Sequence, residues 1–115
     1  MEIDVKKGFE LGCFKYQVKD GEAVTRDLRS RSRYGECSWQ NQEIRVSDDF
    51  SKDQWHNTFL HELLEAINEV YCNGKINHDV LTNCANGLAQ AIKSVDVIFV
   101  GGRDGNHRRD DKKKA

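Results

Sequence analysis

Residues 52–72 constrain this fold more than any other stretch. They form one long amphipathic run with a marked start and a marked stop. Ser51 and Gln54 stand at capping-box spacing, where each side chain can bond the other residue's backbone N–H. Phe50 and Trp55 occupy the flanking staple positions. Asn73-Gly74 closes the run, because glycine takes the left-handed conformation that ends helices. At about 100° per residue, Trp55, Phe59, Leu60, Leu63, Leu64, Ala66, Ile67, Val70 and Tyr71 fill one half of the wheel. His61, Glu62, Glu65, Asn68 and Glu69 fill the other half. Asn77 is a good N-cap for a second helix, with Val80, Leu81, Cys84, Leu88, Ala91, Ile92 and Val95 as its expected buried stripe. A connection this short predicts two packed antiparallel helices. Gly87 falls inside the second helix at a cost of about 1 kcal/mol against alanine, which close approach of a neighbouring backbone would explain.

Upstream, the pattern changes to strand. Phe9, Leu11, Cys13, Phe14, Tyr16 and Val18 mostly alternate, and Lys19-Asp20-Gly21-Glu22 reads as a turn. Residues 34–39 and 43–47 read as two short strands joined as a hairpin through Gln40-Asn41-Gln42. Residues 22–33 fit neither period. If extended, they would align Arg29, Arg31 and Arg33 along one side, read as a solvated edge that discourages strand pairing. Val97-Ile98-Phe99-Val100 fits either a last strand or a helix end. The expected class is α+β: a small, mainly antiparallel sheet packed on two antiparallel helices. One domain is expected over residues 1–100, with a disordered charged tail over 101–115.

Composition removes several function classes. The net charge is -1, so there is no general electrostatic affinity for nucleic acid or anionic membrane. Contact with nucleic acid through Arg26, Arg29, Arg31, Arg33 and the basic tail is the weaker reading of those charges. No apolar run approaches the roughly 20 residues of a membrane span, and residues 1–7 lack the apolar core of a secretory leader. Cys13, Cys37, Cys72 and Cys84 are scattered with no CxxC pair, which points to reduced thiols in the cytoplasm.

The chemistry concentrates in Thr58-Phe59-Leu60-His61-Glu62-Leu63-Leu64-Glu65. His61 and Glu65 are one helical turn apart, so both can reach one cation, and Glu62 lies one step round the helix. The pattern is HExxE, one residue from the zinc-protease HExxH. A hydrolytic zinc site needs three protein ligands and one open position. His78, just inside the start of the second helix, is the best third donor. Glu62 would then be the general base and Asn68 a residue able to orient a ligand. His56 lies about 140° from His61 on the wheel and is set aside as a ligand. Tyr34 or Tyr71 could polarise a carbonyl, and nothing in the sequence selects between them. The plain alternative is a solvated helix face with an ordinary His–Glu pair worth a few tenths of a kcal/mol.

The order of Tyr34-Gly35-Glu36, Ile44-Arg45-Val46, Trp55, the 58–68 helix motif, Ile76-Asn77-His78 and Gly87-Leu88-Ala89-Gln90 resembles a family of small phage and prophage zinc metallopeptidases. The resemblance covers about half the chain. It implies a minimal zincin-like core, with His61, Glu65 and His78 as zinc ligands and Glu62 as the catalytic carboxylate acting on a peptide or protein substrate. Glu65 stands where the broader zincin motif has its second histidine. That departure leaves a second expectation open, a non-catalytic phage accessory module that binds another protein.

Overall fold

The computed structural model describes residues 1–101, and the expected tail lies outside them from residue 102 onward. The chain runs β1 (Glu2–Asp4), β2 (Phe9–Leu11), β3 (Phe14–Lys19), α1 (Glu22–Ser30), β4 (Gly35–Ser38), β5 (Glu43–Val46), α2 (Lys52–Cys72), α3 (His78–Ser94) and β6 (Ile98–Val100). The architecture is α+β. A four-stranded sheet in the order β2-β3-β5-β4 packs against α2, which also carries α3, and a two-stranded sheet pairs β1 with β6. Both sheets differ from a simple meander. The ladders β2–β3 and β4–β5 are antiparallel, whereas β3–β5 and β1–β6 are parallel.

The alternation seen in the sequence produces the core. In β3, Tyr16 and Val18 point inward, and in β5, Ile44 and Val46 do the same. They meet Trp55, Phe59, Leu60 and Ala66 of α2. The Phe9 and Tyr16 rings stack at 5.4 Å, and Phe59 packs against Phe99 at 5.6 Å. Fully burying a side chain such as Leu60 is worth about 1.5–3 kcal/mol.

Several local expectations change. The apolar alternation of residues 9–19 is a hairpin rather than one strand. It folds at Gly12-Cys13, with Gly12 at φ +60 and Leu11 paired to Phe14. A glycine able to hold positive φ suits such a two-residue turn. Residues 22–30 are helical, because Thr25 and Leu28, three apart, share the buried side of α1. The arginines therefore form no extended stripe. Arg26 faces Glu22, Arg29 grips Asp49 through two bonds of 2.6 and 2.9 Å, and Arg31 pairs with Asp27 and Glu36. Residues 98–100 are a strand, because β1 supplies partners 96 positions away in the chain, with Ile3 opposite Phe99.

The two long helices also bury different residues from those expected. In α2, Glu62 and Asn68 are buried, because β4 covers one flank of the helix and the α2–α3 connection covers its end, while Tyr71 is exposed. In α3 the buried row is Leu81, Ala85 and Ala89. Val80, Cys84, Leu88, Ala91 and Val95 are exposed. The small side chains of Ala85 and Ala89 let α3 lie close on α2, close enough for His56 to span the gap. The Phe99 backbone N–H donates to His56 Nδ1 at 2.9 Å, so Nε2 carries the proton and donates to the Ala89 carbonyl at 3.1 Å. His56 is fully buried and ties α2, α3 and β6 together, so it is a structural residue. Among the described residues no helix is long and apolar enough to cross a membrane.

Candidate metal centre

Local rules place the first two donors. Ser51 caps α2 by accepting the Gln54 N–H at 3.2 Å, and the helix then runs unbroken through residues 61 and 65. One turn of separation stacks those side chains, and His61 Nε2 lies 3.5 Å from a Glu65 oxygen.

The third donor arrives through the helix connection. Asn73 and Gly74 both take positive φ, at +53° and +69°, and turn the chain back. Asn68, buried in α2, then holds the connection from inside. Its carbonyl oxygen accepts the Ile76 N–H at 3.0 Å, and its amide donates to the Ile76 carbonyl at 3.3 Å. Next, the Asn77 side chain accepts the N–H groups of Asp79 and Val80, which starts α3 at His78. His78 Nδ1 finishes 3.3 Å from Glu65 and its ring 5.5 Å from that of His61. Asn68 thus positions a donor by clamping backbone, and it does not bond to any of the three donors. Asn68→Ala removes both bonds and leaves the Ile76 backbone groups unpaired. It should cost about 1–3 kcal/mol of stability in denaturant melts and weaken metal binding as well. A variant that melts like the parent would remove the clamp from this account.

Donor atoms of His61, Glu65 and His78 all lie within 4.8 Å of one another. Two ligands about 2.0–2.1 Å from a tetrahedral zinc ion stand roughly 3.3 Å apart. The two donor–Glu65 distances, 3.3 and 3.5 Å, match that edge. Two imidazoles and one carboxylate also form a donor set suited to zinc, with one coordination position left over. The His78 side chain is 70 % exposed, so the donor cluster is open to solvent on the α3 side.

Glu62 sits on the inner wall. Only 9 % of it is exposed, and it lines the same cleft as the three donors, a space of about 300 Å³. In the metal-free protein, burial first, then the Glu65 and Glu36 charges, push its carboxyl up to about 8, while Arg33 acts the other way. The adjacent Cys37 thiol is pushed up to about 12, mainly by burial and then by Glu62, Glu65 and Glu69, so it stays protonated.

Gly35 makes this wall possible. A Cβ at that position would fall 2.5 Å from Thr58 Cγ2 and 3.2 Å from Glu62 Cγ, so β4 can press on α2 only as glycine. The sequence carried a signal for this, since a glycine inside a strand marks close approach of another element. Arg33, Glu36 and Glu69 join the cleft as well. Glu69 could have been found as the next residue after His61 and Glu65 at four-residue spacing. Arg33 and Glu36 could not, because the fold of β4 onto α2 brings them there. The two tyrosines separate cleanly. Tyr34 lines the adjoining recess with His61 and Glu62, whereas the Tyr71 hydroxyl accepts the Gly12 N–H at 3.1 Å, among residues that line neither recess.

Comparisons of this chain with known protein families, with curated proteins and with solved structures found no match.

Proposed function

We propose that this chain is a zinc-dependent peptidase of minimal zincin-like type, of the phage and prophage family its helix motif resembles, working in the cytoplasm. The observation that carries the reading is the convergence of His61, Glu65 and His78, with both Glu65 distances near the edge of a zinc tetrahedron. When bound, zinc would supply a Lewis acid for water and for a scissile carbonyl. The chain's own residues supply the proton transfers. Glu62 projects from the turn that carries His61 and lines the cleft beside it. Its carboxylate takes the proton of the attacking water and returns it to the leaving amine. A carboxyl that titrates near the working pH suits that exchange. A cation held by the neighbouring donors favours its ionised form.

A peptide substrate fits the surroundings. β4 is an edge strand of the four-stranded sheet and borders the cleft along its length. An extended peptide can add to such an edge through main-chain hydrogen bonds. Beyond Trp39 the cleft adjoins a recess of about 470 Å³ where Phe14, Tyr16, Trp39 and Val70 stand beside Gln40, Gln42, Glu69 and Asn73, with room for a large side chain that carries a polar group. Arg33 stands at the other side and can meet a carboxylate.

The test is Glu62→Gln in zinc-loaded protein, assayed on an unfolded protein substrate. Zinc content should stay at one per chain while hydrolysis falls by about 10²–10⁴-fold. Equal turnover would remove Glu62 from the mechanism. Zinc binding with no hydrolysis by the parent would replace this reading with the non-catalytic module.

A further inference from the structure

The recess beyond Trp39 shares Trp39 and Glu69 with the metal cleft, so the two spaces adjoin. Its walls combine aromatic faces with a single charge. Phe14 and Trp39 stand 40 % and 53 % exposed, and among the described residues Glu69 is the one charged group that lines the recess. Glu69 follows Glu65 by one helical turn, so it stands on the same face of α2, about 6 Å further along the axis. That places a carboxylate in the last turn of α2, where the helix dipole favours a cation, and this turn holds no basic residue. No described cation pairs with Glu69. The carboxylates of Asp27, Glu36, Asp49 and Asp53, in contrast, are each held by an arginine or a lysine. The charge of Glu69 is felt in both spaces. Burial, then Cys37, then Glu69 raise the Tyr16 hydroxyl in the recess, and Glu69 follows burial, Glu62 and Glu65 in raising the Cys37 thiol in the cleft. Arg33 lines the cleft and the recess that holds Tyr34, but not this one.

Building on the peptidase reading, and dependent on it for where the scissile bond lies, we infer that this recess is the subsite for a lysine or arginine side chain of the peptide. The offset of about 6 Å from Glu65 sets that residue within about two positions of the bond that is cut, at about 3.3 Å per extended residue. The aliphatic stem lies along the Trp39 and Phe14 rings, and the cationic head meets the ring faces and the Glu69 carboxylate. The amide oxygens of Gln40, Gln42 and Asn73 are further acceptors for its N–H groups. The bound cation also supplies the positive charge that the last turn of α2 lacks. Other side chains satisfy less of the site. Leucine or norleucine leaves the carboxylate uncompensated, and glutamine can bond the amides but brings no charge. Aspartate or glutamate meets Glu69 with like charge and is drawn to Arg33 instead.

The test uses the zinc-loaded full chain and synthetic peptides of alanine and glycine with one variable central residue: lysine, arginine, norleucine, glutamine or glutamate. An exposed ion pair and a cation–π contact together predict a kcat/KM about tenfold higher for lysine or arginine than for norleucine or glutamine. Mass spectrometry should place the cut within two residues of the basic side chain. Glu69→Gln should bring the ratio of lysine to norleucine to within about twofold, and Glu69→Lys should turn the preference towards glutamate. Glu69 is exposed and outside the donor set, so both variants should fold and keep zinc. Binding is read apart from turnover in Glu62→Gln, through the fluorescence of Trp39, since the other tryptophan, Trp55, is buried. The same preference for lysine should appear there and fade as salt is added. Equal kcat/KM for the lysine and norleucine peptides, or a preference that survives Glu69→Gln, overturns the subsite and leaves the peptidase reading intact. Charge-selective binding with no hydrolysis by the parent supports the subsite and removes the peptidase reading. Neither selective binding nor hydrolysis overturns both.

Discussion

His78→Ala should lower zinc affinity at least about a hundredfold, because it removes one of three protein donors and loss of a mere outer partner of a ligand already costs 10–100-fold. His78 is the most informative of the three. Its side chain is 70 % exposed, so its removal takes away almost no packing and the folded state should survive. The readout is therefore metal alone. His61→Ala should show a similar loss. Glu65→Gln should weaken binding too, since it removes the one anionic donor, which lies 3.5 Å from His61 and 3.3 Å from His78. Asp79→Asn, next to His78 but outside the donor set, should bind as the parent does. Competition against a chromophoric chelator gives the affinities, and metal analysis gives the stoichiometry. Ligation needs neutral imidazole and ionised carboxylate, so affinity should fall as the solution is acidified. Should His78→Ala bind zinc as tightly as the parent, the convergence of the two helices on a cation is wrong.

The second large effect lies in the metal-free protein and concerns pH. Glu62 titrates near 8 when folded against an ordinary 4.5, with burial the main cause. Between those values the folded chain keeps a proton that the unfolded chain has lost. The unfolded state then binds fewer protons, so stability must fall as pH rises through that window. The full penalty is on the order of 5 kcal/mol, complete only above the folded value. Glu62→Gln mimics the protonated acid. It should match the parent near pH 4, where the carboxyl is largely neutral in both folded and unfolded chains, and exceed it near pH 8 by most of that amount. Urea melts in the presence of chelator near pH 4 and pH 8 measure both. Added zinc should flatten the parent's slope, because a nearby cation favours the carboxylate. A parent and variant with the same pH slope would show that Glu62 is not buried as described.

Features legible in the sequence are those whose cause is local. Ser51 and Asn73-Gly74 mark the ends of α2 because capping and chain reversal are settled within a turn or two, whereas the Gln54 side chain bonds Thr58 Oγ1 at 3.0 Å in place of closing the expected capping box. His61 and Glu65 were readable as a pair because they share one helix. Even His78 was within reach, since a short connection limits where α3 can begin. The residues 22–30 were ambiguous for the opposite reason. Only Thr25 and Leu28 of α1 are buried, too few to print a period on the sequence.

The wheel of α3 shows how far a one-dimensional pattern goes. It contains two neighbouring apolar rows, which a helical period alone merges into one stripe. Ala85 and Ala89 decide the matter in three dimensions, because small side chains allow the closest approach to α2 and the His56 bridge to Ala89. The parallel pairing of β1 with β6 was equally out of reach, since its two halves lie at opposite ends of the described chain.

By itself, then, the order of residues determined the long capped helix, the alternation of the central strands and the one-turn spacing of His61 and Glu65. All of these follow from backbone geometry within a few neighbouring positions. Only the tertiary structure decided that Glu62 is walled in, that Asn68 grips the returning loop, and which row of α3 faces α2. Burial is a property of what another part of the chain covers. Here the covering depends on a glycine in β4 and two alanines in α3, whose importance lies in the atoms they lack.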